Sequence, residues 1–238
     1  MPPKPTHLLL DFFGTVVEYS RSRTAQGYER THDLTTRMGS TLTYDESRAA
    51  WSAAFDRLDG ESAMSLDEFS SHQVAQLALQ AILGRAPDAH EIQASAQSYQ
   101  DDWSQGIRYP NGMLDVLRQL GDRFTLAIVS NTHDVNLVQS HLDAMGADHF
   151  FETVVTSIDV GRRKPHPVIF ETALDTLGVG PADALFVGDT YLADYVGPEG
   201  SGIRAFLIDP ECIEDVPGAR RIDSLSRLAG HLDEQGLT

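Results

Sequence analysis

The sequence predicts an α/β fold: a mostly parallel sheet with an all-helical block inserted after its first strand. Three observations predict it. Five short apolar runs lack the alternation of a half-exposed strand, as strands buried on both faces do. Helical stretches separate the later runs, and repeated strand–helix alternation builds parallel sheets. Residues 20–106 hold no convincing strand and break that alternation.

The elements follow in order. His7-Leu8-Leu9-Leu10-Asp11-Phe12-Phe13 is the first strand, closed by Gly14-Thr15. Four helices are expected at about 23–38, 45–58, 66–83 and 88–104, with Ser65 and Asp88 as caps and Gly39, Gly60 and Gly84 as stops. Met113 to Leu120 carries apolar residues at helical spacing, and Phe124 to Val129 is the second strand. A helix from Val135 to Met145 precedes the strand Thr153 to Thr156. Val168 to Leu177 is helical, with Pro167 suited to its first turn. Ala184 to Val187 and Ile203 to Ile208 are further strands, joined by a glycine-rich stretch at 197–202 that closes a helix. A last helix spans roughly Leu225 to Gln235. Two domains are expected: a core of 1–16 plus 107–238 with five or six strands, and a helical domain of 17–106, with hinges near 16–21 and 106–112.

Composition narrows the partners. The 238 residues are 41% hydrophobic, enough to bury a sizeable core, and carry a net charge of −17. That sign argues against nucleic acid and anionic membranes, which are held chiefly by Lys and Arg. Cys212 is the single cysteine, so neither an intramolecular disulfide nor a multi-cysteine zinc site is expected. No run approaches the roughly 18 apolar residues of a membrane span, and Leu8-Leu9-Leu10 is too short for a signal-peptide core. These features point to a cytoplasmic protein, a monomer or homodimer, with a small anionic substrate. Lysine occurs only as Lys4 and Lys164, the other basic residues being Arg.

Open parallel sheets bind ligands beyond the C-terminal ends of their strands. There the chain places Asp11, Ser130-Asn131-Thr132, Lys164-Pro165, and Gly188-Asp189 with Asp194 five residues on. Clustered carboxylates repel one another unless a cation intervenes. Oxygen ligands of this kind suit Mg²⁺. Asp11, Asp189 and Asp194 balanced by Mg²⁺ and Lys164 would leave a neutral pocket that a phosphate dianion can enter. Ser130 would donate its hydroxyl to a phosphate oxygen, backbone N–H groups after Phe12 and Ser130 would add donors, and Gly14 permits close backbone approach. Asp11 can then attack phosphorus and form an aspartyl phosphate.

These motifs resemble the haloacid dehalogenase (HAD) superfamily. Asp11-Phe12-Phe13-Gly14-Thr15, Ser130-Asn131-Thr132, Lys164-Pro165 and Gly188-Asp189 with Asp194 stand in the family's order and span residues 11–194. The resemblance implies a Rossmann-like core with an inserted helical C1-type cap, a mobile lid. It implies Asp11 as nucleophile and metal ligand, Ser130 and Lys164 as catalytic partners, and Gly14, Thr15, Ser130, Asn131 and Lys164 as the substrate-binding set. It further implies Asp189, Asp194 and the Phe13 carbonyl as Mg²⁺ ligands.

One departure bears on the substrate. Phe13 stands where phosphatases of the family carry a second Asp, the general acid and base. Such assistance is worth about 10²–10⁴-fold. Three readings follow. The favoured one is a Mg²⁺-dependent phosphohydrolase acting on a phosphorylated metabolite, either one with a good leaving group, such as an acyl or phenol phosphate, or with an acid from cap or hinge, for which Glu18 and Tyr19 are the candidates. A second is a metal-independent 2-haloacid dehalogenase, for which Phe13 is no handicap but an intact Asp189 is out of pattern. A third is a catalytically weak binding or regulatory protein. Elsewhere, His166 reads as solvated, Trp51, Trp103 and Tyr28 as packing residues, and Arg21 and Arg23 as exposed charges or contacts for an anionic substrate.

Overall fold

A computed structural model describes residues 4–20 and 26–237 of the chain. Its five apolar runs become β1 (His7–Leu10), β2 (Thr125–Ser130), β3 (Phe151–Thr156), β4 (Ala184–Gly188) and β5 (Arg204–Ile208), and a short β6 (Arg221–Ile222) joins them from a stretch not read as a strand. They form one sheet of order β3-β2-β1-β4-β5-β6, every pair parallel. The central strands are buried on both faces, which is why their sequences are continuous apolar runs. Helices α1 (Glu29–Arg37), α2 (Tyr44–Ser65), α3 (Ser71–Leu83) and α4 (Ala89–Ser104) follow β1, with no named strand intervening among the described residues. The later helices are α5 (Met113–Gly121), α6 (Leu137–Met145), α7 (Ser157–Val160), α8 (Pro167–Leu177), α9 (Gly197–Gly200) and α10 (Leu228–Glu234).

The chain forms two compact units, residues 1–18 with 108–238, and residues 19–107. In the first, one sheet face packs Leu9, Ala127, Val129, Phe186 and Ala205 against Ile169, Phe170 and Ala173 of α8. Phe170 meets Phe186 edge-on at 5.5 Å. Burying each such Leu or Phe contributes about 1.5–3 kcal/mol. Pro167 opens α8 as expected, and His166 is its N-cap, with Nδ1 accepting from the Val168 N–H at 3.2 Å. The imidazole is half-buried, so it keeps partial contact with solvent while it serves as the cap.

In the helical unit, Trp51, Phe69, Val74, Ala75, Ala78, Ile82 and Ala96 make the core. Trp51 stacks on Tyr99 at 4.5 Å and Tyr99 on Tyr28 at 4.8 Å, so these aromatics are packing residues here. Capping boxes at Thr43/Glu46, Ser70/Gln73 and Asp88/Glu91 start α2, α3 and α4. Two expected signals fail. Gly60 lies inside α2, which continues to Ser65 and stops at Leu66, a left-handed residue with φ 58°. Ser65 therefore ends α2, and Ser70 rather than Ser65 caps α3. A glycine stops a helix only where the chain turns left-handed, as at Gly84, and at Gly60 it does not.

Smaller corrections concern the ends. α1 begins at Glu29, later than the sequence suggested, and part of its expected first turn lies outside the described residues. The 197–202 stretch makes a helix of its own, α9, after a π-helical turn at Tyr191–Val196. The last expected helix splits into a 3₁₀ turn at Leu225–Arg227 and α10. Among the described residues, no helix is long and apolar enough to cross a membrane.

Candidate active site

Register places the first acid. Leu10 pairs with Ile128 of β2 and with Val187 of β4. Asp11 comes one step later, its N–H donating to the Val187 carbonyl at 2.9 Å. Ser130 closes β2, and Asp189 follows directly on β4. The chain runs outward from β1 through β2 and β3, then crosses to β4 on the other side of β1. The reversal falls between β1 and β4, the position where open sheets form a crevice. Asp11, Ser130 and Asp189 thus share one edge of the sheet.

The segment after Asp11 is a tight turn. The N–H groups of Val16 and Val17 donate to the Phe12 carbonyl, and the Gly14 N–H donates to the Val17 carbonyl at 2.7 Å. The sequence suggested a strand-to-helix turn whose N–H groups bind phosphate. In the structure those of Gly14 and Thr15 are taken up inside the turn itself. The Thr15 hydroxyl instead donates to Asp11 Oδ2 at 3.4 Å. Gly14 has φ +94°, and a Cβ there would overlap the Asp189 carboxylate. A Cβ at Gly188 would likewise overlap the Asp194 carboxylate. Two of the three acids are therefore packed against bare backbone.

Lys164 is the hub. Its ammonium is buried, and Nζ donates to Asp11 Oδ1 and to Asp194 Oδ1, both at 2.7 Å. It also lies 5.2 Å from the Phe186 ring centroid. Asn131 holds the lysine from behind. Its Oδ1 accepts from the Lys164 N–H at 2.8 Å and its Nδ2 donates to the Lys164 carbonyl at 3.1 Å. Asn131, expected on the substrate, thus grips the Lys164 backbone with its Oδ1 and one hydrogen of its Nδ2. Ser130 Oγ, fully buried, is 3.5 Å from Asp11 Oδ1. Asp194 Oδ2 accepts from the Thr190 N–H at 2.9 Å, and the Thr190 hydroxyl donates to Asp189 Oδ1 at 3.2 Å.

One carboxylate oxygen from each of Asp11, Asp189 and Asp194 lies within 4.8 Å of the others. Three carboxylates against one ammonium leave the cluster two positive charges short. Burial pushes the Asp11 carboxyl up, Lys164 pulls it back, and Asp194 and Asp189 push it further, to about 7 from 3.8. Burial works against the Lys164 charge, but Asp11 and Asp194 outweigh it and raise the lysine above its ordinary value. The donor set is all oxygen, compact and short of cations, which fits a hard divalent ion.

Asp11, Ser130, Lys164, Asp189 and Asp194 converge within this unit. Phe13 packs its ring edge-on against Phe12 at 4.9 Å and against His141 at 6.3 Å. Glu18 is exposed and pairs its backbone with Arg108, while Tyr19 sets its ring 6.4 Å from Trp103 in the helical unit. Arg21 and Arg23 lie outside the described residues. Sequence reasoning missed the roles of Thr190 and Gly188, although a hydroxyl residue directly after Asp189 was a visible signal.

The family model for haloacid dehalogenase-like hydrolases matches residues 45–208. The chain belongs to that family. The match begins after Asp11, so the first acid stands on its geometry. Among curated relatives of this HAD chain, the human haloacid dehalogenase-like hydrolase domain-containing protein 3 is 32% identical over 160 residues, 63% of each chain. Glyceraldehyde 3-phosphate phosphatase of Methanothermobacter thermautotrophicus is 32% identical over 106 residues, 44% of this chain and 46% of the relative. The chain thus spans less than two thirds of these relatives' length. The structure of 2-haloacid dehalogenase from Pseudomonas syringae superposes with a TM-score of 0.73 over 97% of this chain and 99% of that one, at 19% identity. That likeness shows the Rossmann-like HAD fold.

Proposed function

We propose that this HAD chain is a Mg²⁺-dependent phosphohydrolase of small phosphorylated metabolites, with Asp11 as nucleophile. The observation that carries the reading is the three-carboxylate cluster, two positive charges short, beside a buried lysine. A halide-displacing site has no use for Asp189, whereas a cation-binding site requires it. The glyceraldehyde 3-phosphate phosphatase relative supports the same class.

Asp11, Asp189, Asp194 and the Phe13 carbonyl would hold the Mg²⁺ ion. Bound there, it would neutralise charge on the phosphoryl oxygens and make the carboxylates compatible neighbours. Lys164 favours the ionised form of Asp11 against burial and orients it through the 2.7 Å bond to Oδ1. The carboxylate of Asp11 attacks phosphorus, the bond to the leaving oxygen breaks with its electron pair, and an acyl phosphate forms on Asp11. Ser130 donates its hydroxyl to a phosphoryl oxygen. Water then attacks phosphorus, phosphate departs, and the carboxylate returns. The four-helix unit serves as the C1-type cap that sets selectivity, in a cytoplasmic enzyme.

The test is a hydrolysis screen of phosphate esters, acyl phosphates and 2-haloacids, with Mg²⁺ and with EDTA. Phosphate release that disappears in EDTA and in Asp11→Asn is the expected result. Halide release indifferent to EDTA overturns it. Silence throughout, with ligand-dependent thermal shifts, overturns it in favour of a binding protein.

A further inference from the structure

The carboxylate cluster takes up one end of the sheet, and a second concavity lies at the other. Ala184 opens β4 and Arg204 opens β5, and both line a cavity of about 600 Å³. That volume suits a small molecule. Asp189 stands beyond the opposite end of β4, so about 17 Å of strand separates the cavity from it. All the lining residues belong to the core unit.

The charge of this cavity is opposite to that of the chain. The protein carries −17, yet the lining holds Lys4, Arg204 and Arg220 against one carboxylate, Glu199. The two arginines differ in their surroundings. Arg220 Nη1 donates to Glu199 Oε1 and to the Ala205 carbonyl, both at 3.0 Å, and its guanidinium lies 5.5 Å from the Phe206 ring centroid. Glu199 is itself fixed, its Oε1 also accepting from the Ala205 N–H at 2.7 Å. Arg220 is therefore held in place with its charge matched. Arg204 is half-buried and has no hydrogen-bond or ion-pair partner among the described residues. A cation partly withdrawn from water without a counter-charge is a costly arrangement that an anion would relieve. Arg204 and Phe206 stand two positions apart on β5 and share a face, so the unpaired guanidinium and the fixed one flank one short stretch of strand. Pro181, Leu185, Ile203 and Leu237 add apolar wall.

We propose that this cavity is a second binding site, one that takes a small organic anion. Its carboxylate or phosphate end pairs with Arg204, beside the Nη2 of Arg220, and a short apolar body lies against Leu185 and Ile203. A planar guanidinium suits either acid, because its parallel N–H donors match two oxygens at once. Binding here needs neither a metal nor the chemistry of Asp11, so the site goes beyond the phosphohydrolase reading and does not depend on it.

The experiment titrates the metal-free full chain with acetate, butyrate, inorganic phosphate and butyl phosphate by calorimetry. The parent is compared with Ser130→Ala, Arg204→Gln and Arg204→Lys. Saturable binding that survives Ser130→Ala is expected. Arg204→Gln should weaken it about 10–100-fold, as losing a charge-assisted hydrogen bond does, with an unchanged circular dichroism spectrum. Arg204→Lys should fall between, since it keeps the charge and loses the fork. Butyrate should bind more tightly than acetate, by about fourfold for each methylene buried. Whichever of butyrate and butyl phosphate binds more tightly names the acid, and either supports the site. If Arg204→Gln loses its fold, Ala182→Trp, at an exposed lining position, should fill the cavity and abolish binding. Equal affinity in the parent and Arg204→Gln, or in the parent and Ala182→Trp, overturns the proposal. So does binding that disappears in Ser130→Ala, because it assigns the anion to the Asp11 site. Equal affinity for acetate and butyrate overturns the apolar body, and no binding of any probe overturns the site itself. None of these results bears on phosphate release with Mg²⁺, by which the phosphohydrolase reading stands or fails separately.

Discussion

Asp102 in the helical unit and Asp11 in the core unit are both buried carboxylates, 1% and 6% exposed, and their surroundings are opposite. Asp102 is met by neutral donors: the Thr31 N–H at 2.9 Å, the Thr31 hydroxyl at 2.8 Å and the Gln105 amide at 3.1 Å. Arg30, largely exposed, stands 4.0 Å away. Such a carboxylate is a structural joint between α1 and α4. Asp11 shares its one buried cation with Asp194 and faces Asp189 as well. The comparison teaches that burial alone does not mark a reactive acid. Rival charges with too few cations do, because the deficit invites a ligand.

The widest separation between the two should appear on substitution. Asp11→Asn removes the nucleophile, and turnover should fall on the order of 10³-fold or more without loss of fold, measured as phosphate release beside circular dichroism. Full activity in that variant would break the comparison. Gly14→Ala should follow in size. Its methyl would overlap the Asp189 carboxylate at a φ of +94°, so Mg²⁺ affinity by titration calorimetry should drop about 10–100-fold.

Asp102→Ala belongs to the other side. It strands the Thr31 N–H and hydroxyl, at a cost of about 1–3 kcal/mol for each donor left unpaired, read from denaturant unfolding. Activity should fall only in proportion to the unfolded fraction.

A pH experiment sharpens the contrast. The folded-state value for Asp11 is about 7, above the ordinary 3.8, so in the metal-free protein the folded state holds this proton more tightly than the unfolded chain does. That contribution to stability is whole below about pH 4 and is lost as pH rises toward 7. In EDTA, the Tm of the parent should therefore fall relative to Asp11→Asn across this window, and Mg²⁺ should narrow the gap. Identical pH profiles in EDTA would contradict the like-charge account. The smallest effect is expected at Gly60→Ala in α2, where a Cβ meets nothing within 4 Å. It should stabilise by about 0.5–1 kcal/mol, seen as a rise in Tm.

The sheet was legible because its strands are buried on both faces and so spell continuous apolar runs, from Leu8-Leu9-Leu10 to Ala205-Phe206-Leu207. The acids were legible because ligand-bearing residues fall at strand ends in parallel sheets. Helix limits in the insert were less so. Gly60 and Ser65 carry stop and start chemistry, yet the backbone of α2 passes through both before ending at Leu66.

By itself, the sequence determined which residue types stand at the strand ends, their order along the chain and the absence of a second carboxyl at Phe13. Those are properties of local pattern and composition. Only the tertiary structure decided that Lys164 is divided between Asp11 and Asp194, that Asn131 grips its backbone, and that Gly14 and Gly188 make room for two carboxylates. Such contacts join residues far apart in the chain, Lys164 and Asp11 by 153 positions, and a charge deficit is a property of distance in space, which no linear pattern encodes.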